Sequence, residues 1–259
     1  MRRAAIGIDV GGTGIKGAAI DPASGERLTA RHRVPTPVGG LPADIAREVG
    51  EMCTAIRAEL GEQRLGTTTL PIGIALPGVL REGVMRTAAN LDASWIGTDA
   101  GLLLSRATGS VCLLVNDADA AGVAEAALGA AKGLRGMTMV LTFGTGIGTA
   151  CLFDGALIPN FELGHLQLDG HPDIERHASP KSIGREGISL QEWADRAAAY
   201  VRHLELLLHP DRFVIGGSIS KDAGLYLPFA GVGAPCLPAR FRNNAGIVGA
   251  AWLASRGEA

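Results

Sequence analysis

The chain has 259 residues, 47% hydrophobic and 19% charged, a balance that excludes a disordered chain and suits one large domain or two modest ones. A formal net charge of −2 and few aromatic residues (three Trp, two Tyr, six Phe) supply neither the basic surface nor the stacking platforms of a general nucleic-acid binder. No apolar run approaches the roughly 18 residues of a membrane span, and Cys53, Cys112, Cys151 and Cys236 form no CxxC pair, so the expectation is a cytoplasmic protein with reduced, buried thiols.

Ala4 to Val10 reads as a short apolar strand, Gly11, Gly12 and Gly14 as a turn, and Gly17 to Ile20 as the returning strand. Arg27 to Val34 would complete an antiparallel meander. Gly39 to Leu60 predicts a helix with Ile45, Val49, Met52, Ile56 and Leu60 on one face, Pro42 near its start and Gly61 just past its end. Pro71 to Leu76 and Val111 to Val115 read as buried strands, and alanine-rich Ala118 to Ala131 as a helix. A second cycle opens with a strand from Met137 to Phe143, the turn Gly144-Thr145-Gly146-Ile147-Gly148 and a strand from Thr149 to Phe153. Leu163 to Leu168 is expected as a strand and Ser189 to Leu208 as a long helix. Arg212 to Ile215 reads as a strand ended by Gly216-Gly217, and Asn244 to Leu253 as a closing helix. The organisation is twofold. A small α/β lobe, 1–116, is expected to take back a closing helix at about 245–259, and a larger α/β lobe, 117–244, follows. Ligands would bind in a cleft between them.

The two glycine turns are candidate phosphate sites. At Asp9-Val10-Gly11-Gly12-Thr13-Gly14, backbone N–H groups can approach a phosphate oxygen, Thr13 adds a hydroxyl and Lys16 a mobile cation. Asp9 can hold Mg²⁺, directly or through water. A strand follows this turn and no GK[ST] ending is present, so it is neither a P-loop nor a dinucleotide fingerprint. Gly144, Thr145 and Gly146 repeat the device, and Gly216-Gly217 ends a third strand where a ribose or base can approach. Ordinary tight turns fit the same residues.

Asn116-Asp117 lies between an apolar strand and a helix. The helix N-terminus favours an ionised carboxylate by about 0.3–1 kcal/mol. Asp117 can align an alcohol and take its proton in phosphoryl transfer, where positioning and electrostatics carry most of the catalysis; either residue can equally be a plain helix cap. Glu162, His165, Glu175 and Asn90 present the carboxylate, imidazole and amide groups that match adjacent sugar hydroxyls, or they are solvated loop residues. His165, His171 and His177 recur every six residues with no cysteine nearby, which matches no common zinc pattern.

Taken in order, IGIDVGGTGIKGA, GIALPGV, TAANLDASW, VNDADAAGVAEA, LTFGTGIG, IPNFELGHLQLDG, ERHAS, PDRFVIGGSIS and RFRNNAGIVGAA resemble the ROK family of sugar kinases, within the actin-like ATPase superfamily. The pattern is most similar to the bacterial polyphosphate glucokinases, some of which also use ATP and also phosphorylate mannose. The resemblance covers nearly the whole chain. It implies two ribonuclease-H-like lobes and transfer of a terminal phosphoryl group from polyphosphate or ATP, with Mg²⁺, to the 6-hydroxyl of glucose. It assigns Asp117 as base and Asn90, Asn116, Asp117, Glu162, His165 and Glu175 as the sugar shell. Asp9, Gly11, Gly12, Thr13, Lys16, Gly144, Thr145 and Gly146 become the phosphate loops, and Gly216 and Gly217 the nucleotide contact. Lys132, Arg135, Lys181, Arg185 and Lys221 are candidates for a polyphosphate track. Members of this subgroup usually form homodimers. Leu168 to Ile174 lacks the cysteines of the zinc-bearing members, so no zinc is expected. Other classes consistent with parts of the pattern are a kinase for N-acetylmannosamine or another hexose, a non-catalytic sugar-binding regulator and an actin-like ATPase.

Overall fold

A computed structural model describes residues 4–62 and 70–257. In chain order its strands and helices begin with β1 (Ala5–Gly11), β2 (Gly14–Ile20), β3 (His32–Val34), α1 (Pro42–Glu62), β4 (Ile72–Leu76), β5 (Leu80–Arg81), β6 (Val84–Met85), α2 (Ala100–Thr108), β7 (Cys112–Asn116) and α3 (Asp117–Leu128). They continue with β8 (Met137–Phe143), β9 (Ile147–Phe153), β10 (Ala156–Ile158), α4 (Ile174–Ala178), α5 (Lys181–Glu186), α6 (Leu190–Leu208), β11 (Arg212–Gly216), β12 (Cys236–Pro238) and α7 (Ala245–Arg256). The chain divides within α3: residues up to Ala120 and from Gly246 onward form one compact unit, and Ala121–Ala245 the other.

The first unit is built on a five-stranded sheet of order β3-β2-β1-β4-β7. The first three strands run antiparallel, and β1, β4 and β7 run parallel. The apolar face read from α1 is the buried one: Ile45, Val49, Ile56 and Leu60 are fully buried and Met52 nearly so. α1 runs to Glu62, through Gly61 rather than ending before it. The other face of the sheet takes α7. Gly7 of β1 and Gly73 of β4 are paired neighbours, and a Cβ on them would overlap the carbonyls of Ile247 and Ala250. Two adjacent glycines thus cut a groove in the sheet that lets the helix backbone sit directly on it.

The second unit repeats the plan, with order β10-β9-β8-β11-β12 and the same strand directions. Sheets of this order and direction are of ribonuclease-H-like type, so the fold is α/β with one such sheet in each unit. Ser189 caps α6 in a reciprocal capping box with Glu192, and Trp193, Ala197, Val201 and Leu204 are fully buried. Around them Phe143, Trp193, Tyr200, Tyr226 and Phe229 meet mostly edge to face. The strand expected over Leu163 to Leu168 is instead a single 3-10 turn, Leu163–His165. Its apolar residues do pack on the core, and Gly164 is pressed against the Ile147 carbonyl, in a space that a Cβ on any other residue would fill.

Candidate active site

In the first unit, the glycine turn joins β1 and β2 with Gly11 paired to Gly14, leaving Gly12 and Thr13 exposed at the tip. Gly12 needs to be glycine because of a neighbour: a Cβ would lie 2.7 Å from the Cβ of Asn90. Asn90, itself at φ 61°, is thereby brought against the hairpin that sequence order places far from it. A cavity of about 460 Å³ opens here, lined by Gly12, Thr36–Gly40 and Asn90–Ala93. Behind the tip, Lys16 Nζ lies 3.2 Å from Asp9 Oδ2. Asp9 also faces the start of α7, where a side chain on Gly246 would come within 3.0 Å of its carboxylate carbon.

Asn116 and Asp117 stand at the junction of β7 and α3. Asn116 is the cap: its Oδ1 accepts the N–H groups of Ala118 at 2.8 Å and Asp119 at 3.0 Å. Its amide also donates to the Gly78 carbonyl at 3.1 Å, tying the Pro77-Gly78 turn to β7. Asp117 is half-buried, and its Oδ1 accepts the Ala118 N–H at 2.8 Å. Capping by its neighbour leaves Asp117 in the first turn as a fixed carboxylate.

In the second unit, Gly144, Thr145 and Gly146 form the tip between β8 and β9, with Thr145 exposed. The hairpin closes by the Gly144 N–H donating to the Gly146 carbonyl at 2.9 Å. Glu175, on α4, reaches this turn: its Oε2 accepts the Ile147 N–H at 2.8 Å and occupies the space a side chain at Gly146 would need. His165 lies 3.8 Å from Glu162 Oε2 through Nε2 and 3.4 Å from Asp173 Oδ1 through Nδ1. Glu162, His165 and Glu175 are therefore grouped beside the second hairpin. Asp173, which sequence reading missed, joins them. Burial pushes the Glu162 carboxyl up; Glu175 adds to the rise and His165 opposes it.

A raised carboxyl favours the neutral acid in the fold. That support is complete below the ordinary carboxylate range near 4.5 and is lost as the pH rises through the raised value. At neutral pH the ionised Glu162 therefore costs stability. Glu162→Gln is expected to melt slightly higher than the parent at pH 7, with no gain at pH 4; thermal melts at both pH values check this.

Gly217 stands at φ 81°, and a Cβ there would overlap the backbone of Phe143, so β11 and β8 end together. Beside them a cavity of about 550 Å³ is lined by Gly217, Ser218, Ser220, Lys221 and residues 238–244, including Arg240 and Arg242. Lys221, whose Nζ lies 3.8 Å from Asp222 Oδ2, was anticipated as a candidate for a polyphosphate track; the two arginines were not. Of the other basic candidates, Arg135 is paired with Asp154 at 3.3 Å and Arg185 with Glu186 at 2.5 Å, while Lys132 is exposed. His171 and His177 stack with ring centroids 3.8 Å apart. Among the described residues, no group of three or more His, Cys, Asp and Glu is placed to hold a metal ion. No helix among them is long and apolar enough to cross a membrane.

The ROK family profile matches residues 5–187. The polyphosphate glucokinase of Mycobacterium tuberculosis is 40% identical over 96% of this chain and 91% of that protein. The crystal structure of the inorganic polyphosphate/ATP-glucomannokinase of Arthrobacter sp. strain KM superposes with a TM-score of 0.91 at 44% identity, covering 99% of this chain and all of that one. The ROK hexokinase of Thermus thermophilus gives 0.72 at 26% identity, over 98% of each chain. With that profile spanning most of its length, the chain belongs to the ROK family.

Proposed function

We propose that this chain is a sugar kinase that transfers the terminal phosphoryl group of polyphosphate or ATP to the 6-hydroxyl of glucose, with Asp117 as general base. The observation that carries the reading is structural. Each unit presents a glycine hairpin between its first two strands, and a half-buried carboxylate is fixed at the first turn of α3. Two anion-accepting turns and one carboxylate are the groups that in-line phosphoryl transfer to an alcohol needs.

In this reading Asp117 orients the attacking hydroxyl and takes its proton late, when the phosphoryl group is already in flight. Asn90, Glu162, His165 and Glu175 hold the ring. The backbone N–H groups of Gly12, Thr13, Thr145 and Gly146 meet the phosphate oxygens, and Lys16 neutralises charge behind the first hairpin. Glycine at positions 12 and 146 keeps the tips narrow enough for such approach. Closure that excludes water would keep water from competing as acceptor.

Mg²⁺ fits as an ion carried mainly by the donor phosphates. Asp9, near the end of β1, has Lys16 as its partner, and among the described residues no cluster of three or more His, Cys, Asp and Glu could cage the ion, which suits one that keeps its waters. Asp9 would hold it, and the ion would neutralise charge on the transferred group. On the donor side, Lys221, Arg240 and Arg242 line a cavity without a carboxylate among its residues. Lys221→Ala is expected to raise the KM for polyphosphate more than that for ATP, and polyphosphate affinity should fall more steeply with added salt. Equal shifts for both donors would remove this cavity from the polyphosphate path. The same reading extends to mannose as a second acceptor and to a homodimer working in the cytoplasm.

The test is a panel of glucose, mannose and N-acetylmannosamine with ATP and with polyphosphate, read as sugar phosphate formed. Glucose phosphorylation with both donors supports the reading. Turnover confined to N-acetylmannosamine, or sugar binding without turnover, would replace it.

A further inference from the structure

We propose that Asp173 is a positioning residue that ties the acceptor side of the second unit to its phosphate hairpin. The proposal rests on the reading of His165 and Glu175 as sugar-facing groups and adds a residue that this reading does not contain. The contacts form a closed circuit. One carboxylate oxygen of Asp173 accepts the N–H of Glu175 at 3.2 Å and lies 3.4 Å from His165 Nδ1. Glu175 in turn accepts the Ile147 N–H at 2.8 Å. The carbonyl of that same residue is packed against Gly164, the residue before His165. Ile147, the first residue of β9 after the glycine tip, is thus held through its N–H by α4 and through its carbonyl by the turn that carries His165.

The circuit is supported on both sides. The Thr149 hydroxyl donates to the Phe161 carbonyl at 2.7 Å and accepts the Leu163 N–H at 3.1 Å, which fixes the segment leading into His165. The Ile174 N–H donates to the Leu166 carbonyl at 2.9 Å, which closes the loop that brings Asp173 back. Asp173 is the point where the two branches meet. It caps a helix of five residues, too short to hold its own first turn without a side-chain acceptor. A sugar that orders His165 and Glu175 therefore also orders the hairpin that receives the donor, and donor and acceptor should bind with positive coupling.

The test compares wild type, Asp173→Ala and Asp173→Asn by calorimetry. Glucose affinity is measured with and without a non-hydrolysable ATP analogue, beside KM and kcat for each substrate. Asn caps as well as Asp but brings no charge to His165. Asp173→Ala is expected to raise the glucose KM about fivefold or more and to bring the ratio of glucose affinities with and without analogue toward one. Asp173→Asn should raise the glucose KM while keeping donor affinity. Unchanged glucose KM and an unchanged affinity ratio in Asp173→Ala overturn the proposal. If Asp173→Ala does not fold, a wild-type glucose KM in folded Asp173→Asn overturns it equally. A wild type that binds glucose but turns over none would refute the kinase reading alone, and the tie would still be read from the binding ratio. A wild type that binds no glucose refutes both.

Discussion

Asp117→Asn is expected to lower kcat by about 10²–10⁴-fold while glucose binding stays measurable. The range is that of a positioned general base. The change is nearly isosteric and removes the proton acceptor. The helix should survive it, because α3 is capped by Asn116, whose Oδ1 holds the N–H groups of Ala118 and Asp119. A loss of turnover can then be assigned to chemistry and not to unfolding. The expected signature is a fall in kcat with little change in the glucose KM, the pattern of an interaction made only in the transition state. Steady-state kinetics, with a glucose titration of the variant, measure it. A kcat within a few-fold of wild type would remove Asp117 from the base role.

Glu125→Ala should be the most destabilising of the changes considered, by about 3–5 kcal/mol. Glu125 is fully buried on α3, yet carries a carboxylate. Its oxygens accept three backbone N–H groups: Ala130 at 2.8 Å, Arg240 at 3.0 Å and Phe241 at 2.8 Å. Alanine would leave these donors without their acceptor, at a cost of about 1–3 kcal/mol for each one left buried. At roughly 2–4 °C per kcal/mol for a domain of this size, the melting temperature should fall by about 10 °C. Arg240 and Phe241 also line the basic cavity, so the donor KM should rise in whatever fraction folds. Denaturant and thermal unfolding decide it: a midpoint equal to wild type would show that the loop is held in place by something else.

What could be read from the sequence was mostly local. The buried face of α1 and that of α6 follow directly from apolar spacing, and both glycine turns lie between the strands expected for them. The helix Ala100–Thr108 was missed, although its ends were written in the chain. Asp99 caps it by accepting the Leu102 N–H, and Gly109 closes it in the left-handed region. The turn at Leu163–His165 was misread because Leu163, Leu166 and Leu168 make a short apolar run that mimics a strand, and all three do pack on the core. Glu125 and Asp173 could not be found in this way. Glu125 meets partners 115 and 116 positions away, and Asp173 looks like one more loop acid until the fold lays His165 beside it. Asn116 was read as a sugar contact or as a helix cap, and the structure shows the cap. The groove cut by Gly7 and Gly73 likewise exists only once β1 and β4 are paired.

The most direct measurement is the stoichiometry of donor use with purified chain. ATP consumption and glucose 6-phosphate formation are followed together, with glucose present and with it left out. A kinase whose carboxylate serves a sugar alcohol should form one sugar phosphate for each ADP and consume little ATP when glucose is absent. ATP consumed at the same rate without glucose, or with no sugar phosphate formed, would contradict it.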